Sequence, residues 1–316
     1  MFWNISLLIL GLFAITFGAE GLVRGSSSLA IRLGLTPLII GLTIVAFGTS
    51  TPELVVSLGA SLNNQGDISI GNVVGSNICN IGIILGLTAL LCPVKVSLQV
   101  VKNDGTIMIA ASLLSLFIIT KGTISRLKGI ALFAALVAYT VYSIWLAKKE
   151  VSAEIKQQFH EGVPSQSKSL YLDLLFIGGG LLLLVFGSRI LVISATDIAR
   201  LIGISEAVIG LTIIAAGTSM PELATSIVAA LRRHPDIAVG NVVGSNIFNI
   251  LGILGMASIA KPLSATGITK LDLWVMVGFS VALLPLLYTD LKLQRWEGGL
   301  LLFGYAAYLW GLWPSG

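Results

Sequence analysis

The chain has 316 residues, of which 55% are hydrophobic and 11% charged, with a mean hydropathy of +0.96 and a net charge of +4. Soluble globular domains carry about 25% charged residues, so this composition excludes that class and indicates an integral membrane protein. Only two cysteines occur, Cys79 and Cys92, which argues against a disulfide framework or a zinc site. The positive charge lies in short loops, where it indicates membrane topology rather than nucleic-acid binding.

Apolar runs of about 20 residues, long enough to cross a bilayer, occur ten times. The predicted spans are 2–22, 37–62, 68–92, 104–120, 127–147, 170–193, 206–231, 237–260, 271–289 and 296–313. The first run contains no Lys or Arg and is too long for a signal-peptide core, so we expect it to be a retained helix. The predicted fold is an all-α membrane protein with ten transmembrane helices.

The Lys and Arg residues are distributed unevenly between the two sides of these spans. If the spans alternate in direction, 12 of the 19 fall on one side and 7 on the other. Positive charge gathers in the cytoplasm, so we expect a multi-pass protein of the cell (plasma) membrane with both termini outside. The polar segment 148–169 is then a cytoplasmic linker.

The sequence repeats itself at an offset of 169 residues. At this offset 29 of the 46 residues in 41–86 match their partners in 210–255, without a gap. Each half holds five spans, and this odd number gives the second copy the opposite orientation. Inverted repeats are typical of secondary transporters, which bind substrate near the midplane on interrupted helices. We predict a first five-helix repeat, a linker and a second, inverted five-helix repeat over 1–147, 148–169 and 170–316, respectively.

The first repeated motif interrupts spans 2 and 7. It reads GTSTPELVVS from residue 48 and GTSMPELATS from residue 217. A Ser or Thr cap followed by Pro and Glu is a common helix start. However, Glu53 and Glu222 lie well inside apolar spans, where an ionisable residue costs about 2.5–3.5 kcal/mol, and a bound ion would offset that cost. The Gly and Pro residues of the motif also free backbone carbonyls that lipid cannot satisfy.

The second repeated motif lies in spans 3 and 8. It reads GNVVGSNICN from residue 71 and GNVVGSNIFN from residue 240. Its glycines have GxxxG spacing, which is typical of close helix packing. Its serines and asparagines add hydroxyls and amides at membrane depth. We therefore predict broken helices at spans 2, 3, 7 and 8 around an ion site at the midplane.

The polar groups that these motifs gather are carboxylates, hydroxyls, amides and free carbonyls. The side chains are those of Glu53, Glu222, Thr49, Thr218, Ser50, Ser219, Ser76, Ser245, Asn80 and Asn249. Hard oxygen ligands favour Ca²⁺, Na⁺ or Mg²⁺ over zinc, copper or iron. Flexible coordination by six to eight oxygens suits Ca²⁺ better than Mg²⁺, and Na⁺ is of nearly the same size as Ca²⁺. One Ca²⁺ would neutralise two ionised carboxylates, and several Na⁺ could replace it.

The paired GTSxPEL and GNxxGSNIxN motifs resemble the two alpha-repeats of the calcium:cation antiporter superfamily, specifically its prokaryotic sodium/calcium exchanger type. The resemblance implies a central Ca²⁺ site formed by Glu53, Glu222, Thr49 and Thr218. It implies two flanking Na⁺ sites, formed by Glu53, Ser76, Ala215, Thr218 and Ser219 and by Glu222, Ser245, Ala46, Thr49 and Ser50. The alanines would act through their carbonyls, and Asn80 and Asn249 match the remaining central positions.

The mechanism that the resemblance implies is alternating access, in which spans 1 and 6 slide against a bundle that holds the ions. The implied function is a Ca²⁺/Na⁺ antiporter that is not an enzyme, with no cofactor beyond the transported ions and no obligate protein partner. Asn249 stands where some relatives carry Asp, which argues against potassium coupling. A proton/calcium antiporter on the same scaffold is the nearest alternative, because glutamates also carry protons.

Two other classes fit the sequence less well. Selectivity filters of cation channels are rings from several parallel subunits, which an inverted pair does not provide. An intramembrane enzyme would need a general base, and neither interior glutamate has a histidine near it in the sequence.

Overall fold

The computed structural model describes residues 2–150, 167, 169–201, 215–264 and 267–312. The helices in these ranges are α1 (Phe2–Leu33), α2 (Pro37–Thr49), α3 (Thr51–Leu62), α4 (Gly66–Leu91), α5 (Val100–Thr120), α6 (Arg126–Glu150), α7 (Leu170–Leu201), α8 (Ala215–Thr218), α9 (Met220–Leu231), α10 (Pro235–Ala260), α11 (Lys270–Tyr288) and α12 (Arg295–Leu312). Two short strands, β1 (Val94–Lys95) and β2 (Lys292–Leu293), pair antiparallel.

Seven of the described helices are long and apolar enough to span a membrane, and α2 with α3 forms an eighth, bent span. The protein is therefore a helical membrane protein. The tenth predicted span corresponds to α12. This helix is not among the seven because the charged residues Arg295 and Glu297, together with its tryptophans and tyrosines, lower its hydropathy. Of the seventh predicted span, 206–214 lies outside the described residues, as does most of the 148–169 linker.

Spans 2 and 3 differ in how they accommodate their motifs. The α2–α3 pair bends by 47° at Ser50, as predicted for a broken span. In contrast, α4 and α10 run on without interruption, unlike the broken spans 3 and 8 that the sequence predicts. Each changes instead to a π-helical segment at the end of its motif, over Asn80–Leu85 and Phe248–Ile253. An extra residue in one turn re-aims side chains without breaking the helix, and such segments are frequent at functional sites.

Helix α1 is longer than the predicted span because its charged residues find partners instead of ending the helix. Arg24 lies over the ring of Phe176, with 5.3 Å from its guanidinium carbon to the ring centroid. The Nε atom of Arg32 donates to Asp173 Oδ2 at 2.8 Å, and its Nη2 atom donates to the Ser167 carbonyl at 2.9 Å. These contacts fasten the last turns of α1 to the start of α7.

Helices α1 and α7 pack so closely that their interface requires glycine. A Cβ atom on Gly18 would lie 2.8 Å from the carbonyl oxygen of Gly180, and one on Gly180 would lie 2.6 Å from the backbone nitrogen of Leu22. Small residues let helix backbones approach in a membrane, where dispersion and hydrogen bonds drive association. The most deeply buried of the long helices are α4 and α10, which form the centre of the molecule.

Backbone contacts between the two halves occur in pairs related by 169 residues. Val94 pairs with Leu293 in the small sheet, and Ile124 pairs antiparallel with Leu263 elsewhere. Leu263 is the repeat counterpart of Val94, and Ile124 is that of Leu293. The same contact is therefore made twice, with the roles of the two halves exchanged.

Candidate cation site

The breaks in the two bent regions occur at equivalent serines. Ser50 ends α2 with φ −82° and ψ 9°, and Ser219 separates α8 from α9 with φ −91° and ψ 8°. A proline stands near the start of each following helix, where its missing N–H costs nothing. This arrangement places Glu53 and Glu222 in the first turns of α3 and α9. Carboxylates are stabilised near helix N-termini, where backbone N–H groups are unpaired.

Two hydrogen bonds cross between the repeats at these serines. Ser50 Oγ donates to Glu222 Oε1 at 2.8 Å, and Ser219 Oγ donates to Glu53 Oε1 at 3.1 Å. Both glutamates are 1% exposed, and the second carboxylate oxygen of each, Oε2, has no hydrogen-bond partner. The serines thus hold one oxygen of each carboxylate and leave the other available.

The two carboxylates have no basic partner in the part of the chain that the structure describes. Among the described residues, neither Glu53 nor Glu222 lies within ion-pair distance of a Lys or Arg, whereas Glu20 and Asp173 do. Two buried carboxylates without a cationic partner need a bound cation or a proton, since burying an unpaired charge is costly. Electrostatics therefore favours this region as a place for cations.

Two asparagines that we did not predict as site residues brace the glutamate backbones. Asn72 Nδ2 donates to the Glu53 carbonyl at 3.1 Å and to Ser57 Oγ at 2.8 Å. Its counterpart Asn241 donates to the Glu222 carbonyl at 3.2 Å and to Ser226 Oγ at 3.0 Å. Both asparagines stand second in the GNVVGSN motif, so the repeated motif contained the signal. Each ties the start of a glutamate-bearing helix to the neighbouring central helix.

Four further asparagines form a second crossed set. Asn80 Nδ2 donates to Asn246 Oδ1, and Asn249 Nδ2 donates to Asn77 Oδ1, each at 3.0 Å. The side-chain carbonyl oxygens of Asn80 and Asn249 have no partner, although both residues are 1% exposed. Asn77 and Asn246 were not predicted, and their role is to orient the two predicted amides so that oxygen remains available.

The remaining predicted hydroxyl ligands are two serines of the central helices and two threonines next to the serine breaks. Ser76 and Ser245 are buried, and the hydroxyl of Ser245 has no partner. Thr49 Oγ1 instead hydrogen-bonds to Asn241 Oδ1 at 3.0 Å and to the Val45 carbonyl at the same distance. Thr218, at the end of α8, is half-buried.

The two alanines are less well defined as ligands. The carbonyl of Ala46 accepts from Ser50 N–H at 3.1 Å and from Thr49 Oγ1 at 3.4 Å, so it is hydrogen-bonded rather than free. Ala215 is the first residue of α8 and directly follows the undescribed 202–214, so its side chain lies outside the described part of the chain.

The ligand chemistry of the region is dominated by oxygen. The described residues contain no group of three or more His, Cys, Asp or Glu side chains placed to hold a metal. Any cation bound here would need hydroxyl, amide or backbone oxygens in addition to the carboxylates. This is the ligand type that hard cations prefer.

Long apolar helices around buried, unpaired carboxylates are typical of helical ion transporters. The chain belongs to the family of sodium/calcium exchanger proteins, whose model matches residues 3–145 and 172–313. This confirms the family resemblance predicted from the two repeated motifs.

Individual relatives agree with this family assignment. The inner membrane protein YrbG of Escherichia coli is 39% identical over 81% of this chain and 80% of its own length. The sodium/calcium exchanger MaX1 of Methanosarcina acetivorans is 34% identical over 97% of each chain. A solved structure of the sodium-calcium exchanger NCX_Mj covers 98% of both chains at 31% identity, with a TM-score of 0.85. The protein is therefore a multi-pass exchanger of cations including Ca²⁺, in a family of transporters rather than enzymes.

Proposed function

We propose that the protein is a secondary active antiporter that exchanges Ca²⁺ for Na⁺ across the cell membrane. The observation that carries this proposal is the pair of crossed Ser–Glu hydrogen bonds. Each of them leaves the second oxygen of a buried carboxylate without a hydrogen-bond partner. Two negative charges match one Ca²⁺, and several Na⁺ can replace it. Because both ions need the same carboxylates, occupancy by one excludes the other.

The ligands in this proposal are contributed by both halves. Ca²⁺ binds centrally to Glu53, Glu222, Thr49 and Thr218, with Asn80 and Asn249 beside it. Na⁺ binds on either side, at Glu53, Ser76, Ala215, Thr218 and Ser219 and at Glu222, Ser245, Ala46, Thr49 and Ser50. The unpartnered oxygens of both glutamates, Ser245, Asn80 and Asn249 support this assignment, since buried polar atoms normally have a partner.

The architecture that we infer has ten spans in two inverted five-helix repeats, over 1–147 and 170–316. Both termini lie outside, and the 148–169 linker is cytoplasmic. The contacts that recur at an offset of 169 residues support this arrangement, among them the antiparallel pairing of β1 with β2 and the antiparallel bridge between Ile124 and Leu263. Five spans per repeat give opposite orientations, which is the basis of alternating access in many transporters.

Transport in this scheme requires α1 and α7 to move together past the remaining helices. Their glycine interface and the Arg32–Asp173 ion pair support their treatment as one body. The ligands lie outside this pair, on α2 to α4 and α8 to α10. Sliding of the pair would expose the site alternately to the two sides while the ligands keep their mutual geometry.

The test is ⁴⁵Ca²⁺ uptake into proteoliposomes loaded with Na⁺ and diluted into Na⁺-free buffer. The matched control is K⁺-loaded vesicles with an imposed pH gradient. We expect uptake only with internal Na⁺. Uptake driven by the pH gradient alone would replace this proposal with a proton/calcium antiporter in which Glu53 and Glu222 carry the protons. Flux far above transporter rates would indicate a channel.

A further inference from the structure

The short sheet formed by β1 and β2 places two lysines directly opposite each other. In its register Val94 pairs with Leu293, and Lys95 pairs with Lys292. Val94 and Leu293 are fully buried, so a shift by one residue would bury the lysines instead, and burial therefore fixes the register. The two lysines share the other face of the sheet, where the Cβ atoms of opposite residues lie about 5 Å apart. Like charges at such positions destabilise a sheet, and an anion between them would remove the repulsion.

Two further cations accompany this lysine pair. Lys102 is in the first turn of α5, and Arg295 begins α12. In the part of the chain that the structure describes, no Asp or Glu lies within ion-pair distance of any of the four side chains. Asp290, in the turn before β2, is exposed, and Glu297 is 1% exposed and accepts the N–H of Gln294 at 2.7 Å. The positive charge of these four residues is thus available to an external anion.

A groove opens next to these cations, between the start of α5 and the end of α11. It has a volume of about 640 Å³, and most of its lining is apolar, with Leu284 as an example. Its polar lining includes Lys102, Thr106 and Thr289. The carbonyl of Thr289 accepts the N–H of Lys292 at 3.3 Å, so the polar end of the groove adjoins the lysine pair. An apolar groove that ends at cations matches a molecule with a hydrocarbon chain and an anionic head.

The opposite membrane face has the same backbone pairing without these charges. The equivalent contact there joins Ile124 and Leu263, so the fold does not require lysines at this place. Three of the four cations have uncharged repeat counterparts, namely Ser264 for Lys95, Leu271 for Lys102 and Thr123 for Lys292. The positive-inside rule favours lysines in cytoplasmic loops, but it does not require two of them to face each other beside a groove. The leaflet that carries most of the anionic lipid is also the cytoplasmic one.

We infer that this groove binds an anionic phospholipid of the cytoplasmic leaflet, with the phosphate at the Lys95–Lys292 pair and an acyl chain between α5 and α11. Basic pockets between transmembrane helices on the cytoplasmic side are suited to phospholipid head groups. Because α5 belongs to the first repeat and α11 to the second, the lipid would connect the two halves of the molecule. The inference goes beyond the proposed antiport and depends on the proposed orientation only for the choice of leaflet.

The first measurement is native mass spectrometry of the delipidated full-length protein in detergent, titrated with dioleoyl phosphatidylglycerol. We expect one saturable adduct, and roughly tenfold weaker binding of dioleoyl phosphatidylcholine, which has the same chains and no net charge. The double variant Lys95→Gln, Lys292→Gln should bind phosphatidylglycerol roughly tenfold more weakly. The matched control is Arg126→Gln, Lys128→Gln, which removes the same charge at the opposite membrane face and should bind as the wild type does. Equal binding of the two lipids, or equal losses in the two double variants, would overturn the inference.

A second pair of variants tests the position of the acyl chain. Thr106→Trp fills the groove and keeps all four cations, so it should also weaken phosphatidylglycerol binding. Val275→Trp, at the repeat counterpart of Thr106, is the control and should bind normally. Glycerol 3-phosphate, which has the phosphate without the chains, should not compete at the same concentration. If it displaces the lipid, or if Thr106→Trp binds normally, the cations hold a free anion and the groove is not a lipid site.

Thermal unfolding separates lipid binding from a purely structural role of the lysines. Without lipid, the Lys95→Gln, Lys292→Gln variant should unfold at the same temperature as the wild type or a higher one, because a like-charge contact is removed. Phosphatidylglycerol should raise the unfolding temperature of the wild type and leave that of the variant nearly unchanged. Equal shifts in both would contradict the inference. Neither readout involves ⁴⁵Ca²⁺ uptake, so a protein that binds the lipid in this way but lacks Na⁺-driven uptake would reject the antiporter alone.

Discussion

Helices α3 and α9 are repeat counterparts, yet their surroundings differ. Both begin after a serine break with a proline and carry a glutamate in the first turn. Helix α9 packs along α1, whereas α3 makes no comparable contact with α7 in the described ranges. Val56 on α3 is 39% exposed, while its counterpart Thr225 on α9 is fully buried. The same sequence element is thus covered in one half of the molecule and open in the other.

This difference shows where the α1–α7 pair stands relative to the site. If the pair moves as one body, it cannot cover α3 and α9 at the same time. Under the proposed orientation α3 leads to the outside and α9 to the cytoplasm. The structure then has the cytoplasmic helix α9 covered by α1 and the outer helix α3 uncovered by α7, while both site glutamates are buried.

The largest expected effect tests whether the two halves contribute equally to ion binding. Glu53→Gln and Glu222→Gln should each reduce Na⁺-driven ⁴⁵Ca²⁺ uptake more than about a hundredfold, because each removes one of the two charges that match Ca²⁺. Membrane insertion should be intact, and Asp197→Asn, on the exposed surface of α7, should transport normally. Normal uptake by either Gln variant would remove that residue from the site.

A smaller effect is expected from the asparagines that brace the glutamates. Asn72→Ala and Asn241→Ala each leave a buried glutamate carbonyl without its partner, at a cost of about 1–3 kcal/mol. We expect Ca²⁺ affinity, measured by isothermal titration calorimetry, to fall roughly five- to hundredfold in both. Asn103→Ala, outside both motifs, is the control. If Ca²⁺ affinity fell in only one of the two variants, the two halves would differ in how they bind the ion as well as in how deeply α3 and α9 are buried.

Thiol labelling can directly test the difference in solvent accessibility between α3 and α9. In a background without native cysteines, Val56→Cys should react at least tenfold faster with a membrane-impermeant maleimide added outside than Thr225→Cys does with the reagent added inside. The reason is that position 225 is fully buried on α9, which packs along α1, whereas position 56 is 39% exposed. Equal rates from the two sides would mean that the difference in burial between α3 and α9 does not persist in the membrane.

The smallest effect concerns an ion pair between α1 and the turn after α9. Arg232 Nε donates to Glu20 Oε2 at 2.8 Å, and both side chains are partly exposed. Burial lowers the pKa of nearby His234, which disfavours its charged form and leaves Arg232 as the cation paired with Glu20. Exposed pairs contribute about 0.2–1 kcal/mol, so Glu20→Gln should raise labelling at Thr225→Cys by up to about fivefold.

The reciprocal variant sharpens the same comparison. Arg189 is the counterpart of Glu20, and Asn63 is the counterpart of Arg232, so the outer side lacks this ion pair. Asn63→Asp supplies the missing acid and should lower labelling at Val56→Cys by a similar factor. Higher labelling there would contradict the equivalence of the two sides.

The sequence predicted those parts of the molecule that depend on short segments. Ser50, Glu53 and their counterparts could be identified because the motif repeats and an acid inside an apolar span needs a partner. Four asparagines of the second repeated motif were not predicted as site residues, namely Asn72, Asn77, Asn241 and Asn246. The direction in which each amide points depends on how α4 and α10 pack against their neighbours. Tertiary geometry of this kind is not encoded in residue spacing.

The end of the first span and the breaks in spans 3 and 8 were predicted wrongly, for physical reasons of the same type. Helix α1 continues to Leu33 because Arg24 and Arg32 are compensated by Phe176 and Asp173, which are distant in sequence. Spans 3 and 8 remain whole because each changes to a π-helical segment at the end of its motif. The asparagine side chains there hydrogen-bond to asparagines of the other half, so the polar motif does not require a break in the helix. In both cases a partner from the other half decides the local structure.

The crossed Ser–Glu contacts also bear on how such a chain could have originated. Ser50 needs Glu222, and Ser219 needs Glu53, so neither repeat closes its own contact. A single ancestral repeat would have had to pair with a second copy of itself to form the same contacts. Joining the two copies in one chain would let each diverge. A difference such as Cys79 in one copy and Phe248 in the other is one that a homodimer of identical repeats could not have.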